Sequence, residues 1–576
     1  MSPGKSPRYT NVYDPPKVLP TDALTRLREL AEQRHRDPVV SLRAAGEILA
    51  AAPDRQVAAR AWQVVGLAQH ELGRFSEAVA SFRQAISIAV AVGHEHSDEE
   101  ATARANLAPS LVALGDTAGA EEQIAMAWAR SSVASRGIVC LRQGIVFHRT
   151  GRNNEALAAY QRALRWFEET DDQSYIALAR LNLGIINTYR GNHGAAVEDL
   201  AIVVGISRRR DLPVLEAMAT HNMGYALGRL GKLPDAMATF ARAKQAYAAL
   251  GHKERLLAVL EAEHGEILML AGLVAEARAA AQSALETLLE VGDLAELMEC
   301  RLLLARTHLA AGDYLAAASE AARAVKGFRA ASRLPFAAMA RYVGIQAEML
   351  EIQDQTTIPP GLLRRCRAIA AELESEGWPV EAVHVHTFAG RVALALGHPV
   401  VARTELAQAA AARTRGTADL RAQAWHANAL LHLAEGNRAG AKRALSRGMA
   451  VVDEYRASLG ATELRVYAAS HGAELARLGT RLAVEDRRAV DVLRWAERWR
   501  AGALRRPPVR PPDDEALARD LTELRQVQAD LREARLSPVS ASRSDEAHVP
   551  APVGPLVARV TELERSVRNR TLLAKD

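Results

Sequence analysis

The chain has 576 residues, 49% of them hydrophobic and 24% charged, and this composition excludes a chain that is disordered throughout. Its length exceeds what one compact core fills, so several domains or one elongated array are expected. The net charge of +5 is small for this length and does not by itself indicate a nucleic-acid partner.

The cysteines and the apolar segments limit the class of protein further. Cys140, Cys300 and Cys366 are far apart and odd in number, which excludes a disulfide framework and a zinc site made of four cysteines. No run of 18 apolar residues occurs, and the N-terminus lacks the apolar segment of a signal peptide. We therefore expect a cytoplasmic protein with no membrane partner.

Proline divides the chain into three parts, of which the two ends are rich in proline and the middle is poor in it. Five of the 23 prolines lie in residues 1–20, which we predict to be a disordered N-terminal arm. Residues 21–503 are poor in proline and aromatic residues, and they are predicted to be helical. Residues 504–512 form a linker of proline and arginine with extended character. Residues 513–576 are predicted to form a helical and low-order tail.

The helical part repeats one frame of small residues. In the full frame a Gly or Ala is followed by Gly seven residues later, by Ala five residues after that, and then by a large apolar residue and a further Ala. The eighth copy lacks the turn glycine, and the eleventh copy is weaker. The copy RAWQVVGLAQHELGRFSEAVASFRQAI is the clearest, and its frame begins at Gly66. The first small residues of the copies are Gly66, Ala108, Gly144, Gly184, Gly224, Gly265, Ala305, Gly344, Gly390, Ala429 and Gly472.

This frame resembles the tetratricopeptide repeat, a helix-turn-helix unit. Small residues let the two helices of a unit approach closely, and the second Gly tolerates the turn between them. The copies begin 36 to 46 residues apart, so they are similar to the long-helix repeats of kinesin light chain and of the sensor region of the maltose-regulon activator. The resemblance implies an all-α fold: a right-handed α-solenoid of about ten to eleven repeats, each of roughly 40 residues, followed by the helical tail.

We find no catalytic signature in the sequence. Gly231-Lys232-Leu233 lacks the remaining residues of a phosphate-binding loop, and the motifs HExxH, GxSxG and GxGxxG do not occur. His94 and His96 lie beside acidic residues, but an exposed loop between repeats is favoured over a metal site. The sequence therefore predicts a protein that is not an enzyme and that has no cofactor and no metal.

Binding is the favoured function. In the tetratricopeptide resemblance, the first helix of each repeat lines a concave groove. The position two residues before the first small residue is Asn106, Asn182 and Asn222 in the second, fourth and fifth repeats, and Arg142 in the third. An amide offers a donor and an acceptor to an extended peptide backbone, and asparagines do this in the kinesin light chain family. The alternative left open is that these asparagines face only water.

Other positions expected to face the groove are polar or cationic and are mixed with apolar ones. This lining suits a peptide with apolar anchors and some acidic character, without nucleic acid. Besides the three asparagines, the candidate peptide-binding residues are Tyr225, His148, His221, Arg306 and Arg341.

The C-terminal segment carries a second resemblance. Trp495 and Trp499 share a helix face with arginines around them, and the closing helix of the array is favoured over a nucleic-acid or membrane patch. The sequence WAERWRAGAL, followed by proline and arginine and then by DLTELRQVQADLREAR, resembles actinobacterial proteins in which a tetratricopeptide array precedes a CHAT domain, a caspase-like peptidase.

The CHAT resemblance implies a regulatory partner and supplies no catalytic residue. The chain ends at Asp576, where the peptidase would begin, and no Cys follows His471-Gly472. We therefore expect a non-catalytic scaffold or sensor that binds a peptide or partner protein and regulates a CHAT-type peptidase, either encoded separately or removed by truncation. The alternative is the sensor arm of a signal-responsive transcription regulator.

Overall fold

The computed structural model describes residues 20–34, 37–51, 53–91, 98–251, 253–351, 358–457, 472–504, 514–536 and 553–573. Over these ranges the chain forms helices and turns and no β-strand. Two compact units are present: unit 1 comprises Met1–Leu111 and Gly119–Val139, and unit 2 comprises Val112–Ala118 and Cys140–Asp576. The predicted arm and the proline-arginine linker lie outside the described residues except for Pro20 and Leu504.

The first helices belong to unit 1 or cross its boundary with unit 2. They are α1 (Pro20–Gln33), α2 (Pro38–Ala50), α3 (Arg55–Glu71), α4 (Phe75–Ala91), α5 (Asp98–Ala113), α6 (Thr117–Arg130) and α7 (Val133–Arg149).

The remaining helices belong to unit 2. They are α8 (Asn153–Glu169), α9 (Gln173–Tyr189), α10 (His193–Arg209), α11 (Pro213–Arg229), α12 (Leu233–Leu250), α13 (Glu254–Leu270), α14 (Val274–Val291), α15 (Leu294–Ala310), α16 (Tyr314–Ala330), α17 (Leu334–Glu351), α18 (Leu362–Ser375), α19 (Pro379–Ala395), α20 (Pro399–Ala410) with a 3₁₀ turn at Ala411–Thr414, α21 (Ala418–Ala434), α22 (Arg438–Ala457), α23 (Ala473–Glu485), α24 (Ala489–Leu504), α25 (Glu515–Leu536) and α26 (Val553–Leu573).

Consecutive helices pair as hairpins in the register of the sequence frame. The second Gly of the frame ends the first helix of each pair, as at Gly191, whose φ of 80° is left-handed and suits glycine. There the amide N–H of Asn192 donates to the carbonyl oxygen of Asn187 and closes the last turn of α9. The predicted all-α tetratricopeptide solenoid is therefore confirmed as the fold class.

The first small residue of the frame lies where two helices touch. A Cβ atom at Gly144 on α7 would lie 2.4 Å from Cε1 of Tyr160 on α8, and one at Gly184 on α9 would lie 2.7 Å from Cγ of Leu200 on α10. Tyr160 and Leu200 are fully buried. At these two pairs the close approach of the helices thus requires the glycine that the sequence pattern singled out.

The cysteines and the tail have packing roles. Cys140, Cys300 and Cys366 are free and buried, and burial raises the pKa of Cys366 to about 12. In the tail, α25 and α26 lie antiparallel against each other, and α26 packs against α12. Arg570 pairs with Asp520 at 3.0 Å between α25 and α26.

Candidate peptide-binding site

The first helices of the repeats in unit 2 carry one polar stripe. Residues three or seven positions apart on a helix lie on the same face. Because the frame repeats, residues at equivalent frame positions lie on the equivalent face of each first helix. On α9 the stripe holds Asn182 and Tyr189, and on α11 it holds Asn222, Tyr225 and Arg229. Helices α9 and α11 contact each other, so their stripes are adjacent. We call this surface the inner stripe.

The two asparagines of the inner stripe adopt the same arrangement. The Nδ2 of Asn182 donates to the carbonyl oxygen of Leu178 at 2.7 Å, and that of Asn222 donates to Met218 at 2.8 Å. Both side chains are half-buried, and within the described part of the chain neither side-chain oxygen has a hydrogen-bond partner. Asn106 lies in unit 1, where its side chain is 6% exposed and has its own interactions.

Two predicted residues meet through a carboxylate that the sequence analysis did not single out. The hydroxyl of Tyr225 on α11 donates to Oε2 of Glu266 on α13 at 2.6 Å. The other oxygen of Glu266 lies 3.8 Å from Nη1 of Arg306 on α15. Burial, followed by the charge of Glu266, raises the pKa of Tyr225 well above its usual value. The three side chains form a ladder across three successive first helices.

Further ion pairs join this surface to later helices of unit 2. Arg149 of α7 lies 2.5 Å from Glu296 of α15, and Arg229 of α11 lies 3.3 Å from Glu381 of α19. Arg333 lies 2.6 Å from Glu299. Burial raises the pKa of Glu299 to about 8, despite the opposing charge of Arg333, and the carboxylate of Glu296 adds to the rise.

Three predicted residues take part mainly in packing or pairing. The ring of His148 lies 5.8 Å from that of Tyr189, and burial, aided by Arg149 and Arg333, lowers the pKa of His148 to about 3. This histidine is therefore neutral.

His221 and Arg341 lie against neighbouring helices. His221 is 3% exposed; its Nε2 lies 3.1 Å from Glu263, and Tyr247 lies 3.4 Å from its Nδ1. Arg341 pairs with Glu372 on α18, the second helix of its own repeat. His221 therefore presents little surface to a ligand, and the guanidinium of Arg341 is already paired with a carboxylate.

The sequence analysis missed the acidic partners, although the frame contained a signal for two of them. Glu263 and Glu266 stand two residues before and one residue after Gly265, at the frame positions that Asn222 and Tyr225 hold in the preceding repeat. Applying the frame to the sixth repeat would have placed both glutamates in line with Asn182 and Asn222.

The inner stripe offers amides, phenols, guanidinium groups and carboxylates, which together can hydrogen-bond a peptide backbone and polar side chains. Among the described residues, no group of three or more His, Cys, Asp or Glu side chains is arranged to hold a metal ion. His94 and His96 lie outside those residues. Of the helices that the structure describes, none combines the length and apolar character needed to cross a bilayer.

Comparison with known proteins finds the repeat family in two places. Residues 138–201 and residues 59–89 match the family described as tetratricopeptide repeat. No curated protein matches the sequence.

Solved structures with a similar course of the chain share little sequence with it. A Rap protein complexed with competence and sporulation factor has 13% identity and a TM-score of 0.48, over 61% of this chain and 98% of that one. The apo quorum sensor NprR from B. thuringiensis has 12% identity and a TM-score of 0.39, over 59% of this chain and 97% of that one. Yeast Tom70 has 13% identity and a TM-score of 0.32, over 82% of this chain and 99% of that one. No conclusion about ligand or partner follows from similarities this distant.

Proposed function

We propose that this chain is a non-catalytic scaffold that binds an extended peptide, or an extended segment of a partner protein, along the inner stripe of unit 2. One observation carries the proposal. Asn182 and Asn222 occupy equivalent positions on adjacent helices, hold the same side-chain conformation and keep their side-chain oxygens open. Arg306 extends the surface beyond Glu266, whose carboxylate is held by the hydroxyl of the buried Tyr225.

The spacing of the helices matches the spacing of a peptide backbone. Packed helices lie about 8–10 Å apart, and an extended chain rises about 3.3 Å per residue. Asn182 and Asn222 are therefore placed to meet backbone groups about three residues apart. Each open side-chain oxygen can accept a backbone N–H, which makes this contact independent of the ligand's side chains.

The charged residues of the stripe determine which charged side chains a ligand can bring to it. Glu266 accepts a hydrogen bond from Tyr225 and faces Arg306 at 3.8 Å, too long for a hydrogen bond between the two charged groups. An acidic ligand side chain can approach Arg306 without displacing a hydrogen bond of that guanidinium to Glu266. This supports the expected ligand with apolar anchors and some acidic character.

The test begins with peptides selected against the full-length protein from a random display library. Loss of two amide contacts of about 1 kcal/mol each is expected to weaken the selected peptides by about thirtyfold in Asn182→Ala/Asn222→Ala. Asn192→Ala removes an exposed turn amide that makes no side-chain cap bond, and serves as the matched control. Titration calorimetry measures both. Equal binding to the double variant and the control would contradict the proposal, as would a library that yields no binder.

The effector belongs to the same proposal. The resemblance of the C-terminal segment to CHAT-domain proteins supports a CHAT-type peptidase as the partner that a bound peptide regulates, in the cytoplasm and without a cofactor. Affinity capture of the full chain from its host, followed by mass spectrometry, tests this point. Recovery of a peptidase supports this partner, and peptidase activity that changes on adding a selected peptide with the Asn192→Ala control but not with the double variant supports regulation through the stripe. Capture without any peptidase, or the same change of activity with both proteins, would contradict it.

A further inference from the structure

Unit 2 touches itself where the turn between α7 and α8 meets the turn between α18 and α19. The indole Nε1 of Trp378 donates to the carbonyl oxygen of Gly151 at 2.8 Å, in a buried position. The backbone N–H of Asn153 donates to the carbonyl oxygen of Glu376 at 3.0 Å, and Nδ2 of Asn154 donates to that of Ser375 at 2.9 Å. We call residues 149–154 and 375–381 together the seam.

The next turns along the chain repeat this contact. A Cβ atom at Gly191 would lie 2.9 Å from Cγ2 of Val380, and one at Gly231 would lie 3.0 Å from Cε2 of Tyr455. Each of these turns thus packs against a repeat far along the sequence. The array of unit 2 therefore coils back on itself, and the contact at the seam belongs to a continuous line of such contacts.

The seam also contacts the inner stripe through ion pairs. The pair Arg149–Glu296 joins residues 147 positions apart, and the pair Arg229–Glu381 joins residues 152 positions apart. Arg229 lies one helical turn beyond Tyr225 on α11. The helices that carry the proposed peptide site are thus tied to later helices of unit 2 across the surface that a peptide would occupy.

Polar atoms at the seam and at the neighbouring turn are buried without a hydrogen bond, among them Oε2 of Glu381. Asn153 is fully buried, and within the described residues both Nδ2 and Oδ1 lack a partner. His193 holds the same frame position in the next repeat, is 3% exposed and has an unpartnered Nδ1. Burial lowers its pKa to about 4, so the ring is neutral. Such atoms cost free energy when buried and recover hydrogen bonds in water, so they favour separation of the two turns.

We propose that the seam is an autoinhibitory contact: unit 2 exchanges between this closed form and an open form in which residues 149–154 and 375–381 separate, and the peptide enters the inner stripe in the open form. This inference rests on the proposed peptide-binding function. The apparent affinity then equals the intrinsic affinity multiplied by the open fraction. Variants that change the equilibrium between the closed and open forms therefore change peptide affinity while leaving the asparagines unchanged.

Two variants are expected to change the equilibrium between the closed and open forms in opposite directions. Trp378→Phe keeps an aromatic ring but removes the donor to Gly151, and the loss of one hydrogen bond is expected to favour opening by about fivefold. Asn153→Leu replaces the unpartnered amide by an apolar side chain of similar size. The chain already uses a buried leucine at this frame position in the fifth repeat, Leu233. Trp62→Phe on α3, in unit 1, changes a tryptophan outside unit 2 and serves as the control.

The first measurement needs no peptide. Native-state hydrogen exchange of the full chain is expected to be faster over residues 149–154 and 375–381 in Trp378→Phe and slower in Asn153→Leu, with Trp62→Phe like wild type at both sites. Unchanged exchange in both seam variants would overturn the proposal. Faster exchange along all of unit 2 in Trp378→Phe would show general loss of structure and would leave Asn153→Leu to decide.

The second measurement uses a peptide selected for the inner stripe. Its affinity is expected to rise up to about fivefold in Trp378→Phe and to fall in Asn153→Leu. A purely structural tryptophan would instead give weaker or unchanged binding, and that result would overturn the autoinhibitory role. If no peptide binds wild type at all, the proposed function fails, while hydrogen exchange still decides whether the seam opens.

Discussion

Adding one methyl group at Gly144 tests the packing frame on which the whole fold depends. In Gly144→Ala the new Cβ would lie 2.4 Å from Cε1 and 2.5 Å from Cδ1 of Tyr160. Ordinary carbon contacts are about 3.5–4.0 Å. The phenol ring is rigid and fully buried, so it has no free space into which to rotate. Helices α7 and α8 must therefore move apart or the ring must leave its rotamer.

The expected magnitude is a difference of two terms. Overpacking a well-packed core costs about 1–3 kcal/mol, and replacing Gly by Ala within a helix returns about 1 kcal/mol. Because the overlap exceeds 1 Å against a rigid ring, we expect the upper part of the first range and a net loss of about 1–2 kcal/mol. Gly344→Ala is the matched control, since its Cβ would meet only Ala321 Cβ at 3.9 Å. That variant should gain about 0.5–1 kcal/mol.

Native-state hydrogen exchange is the appropriate assay, because a repeat array need not unfold in one step and each repeat reports its own stability. Gly144→Ala should lower protection of α7 and α8, and Gly344→Ala should raise that of α17. A urea titration followed by circular dichroism should shift its midpoint in opposite directions for the two variants. Equal or higher protection of α7 and α8 in Gly144→Ala would refute the role assigned to the first small residue.

The remaining predictions concern single groups. Tyr225→Phe removes the donor to Glu266 and should cost about 1–3 kcal/mol, with most of that loss absent when Glu266 is already Gln, as measured in a double-mutant cycle of thermal unfolding. Burial lowers the pKa of His193 and His426 to about 4, below the value near 6.5 of an unfolded chain. Their contribution is therefore complete above pH 6.5 and is lost as pH falls toward 4, so the urea midpoint should be lower at pH 5 than at pH 7, and His426→Gln should flatten that dependence. The three buried cysteines should react with a thiol reagent only after denaturation, and fast reaction of the native protein would contradict their burial.

The hairpins of the fold could be predicted because their determinants are local in sequence. Gly144 and Tyr160 are 16 residues apart and meet within one helix pair, so a single copy of the frame contains both partners. The turn at Gly191 needs a left-handed residue, and the frame places a glycine there. Repetition of the frame then indicated the fold class without knowledge of any contact between repeats.

The partners of the inner stripe could be predicted only in part. Glu266 follows from the frame, because it stands where Tyr225 stands one repeat earlier. The pairing of Glu296 with Arg149 cannot be predicted from the local sequence. It depends on how far the array rotates from one repeat to the next, and many small packing angles between helices set that rotation. The interpretation of the stripe as an open groove missed these pairs for the same reason.

The ion pairs across the inner stripe support an interface whose two sides separate. A buried ion pair adds little stability compared with apolar side chains of similar volume, because both charges lose their hydration. A permanently closed array would gain by carrying such apolar side chains at Arg149 and Glu296, yet those would be exposed whenever the array opened. Arg149 and Glu296 pair with each other at 2.5 Å in the closed form. In an open form water hydrates both charges. The pair Arg229–Glu381 follows the same logic at 3.3 Å, and one oxygen of Glu381 remains buried without a hydrogen bond in the closed form. Side chains that tolerate both states, beside the proposed peptide site, are the pattern expected of a binding surface regulated by its own closure.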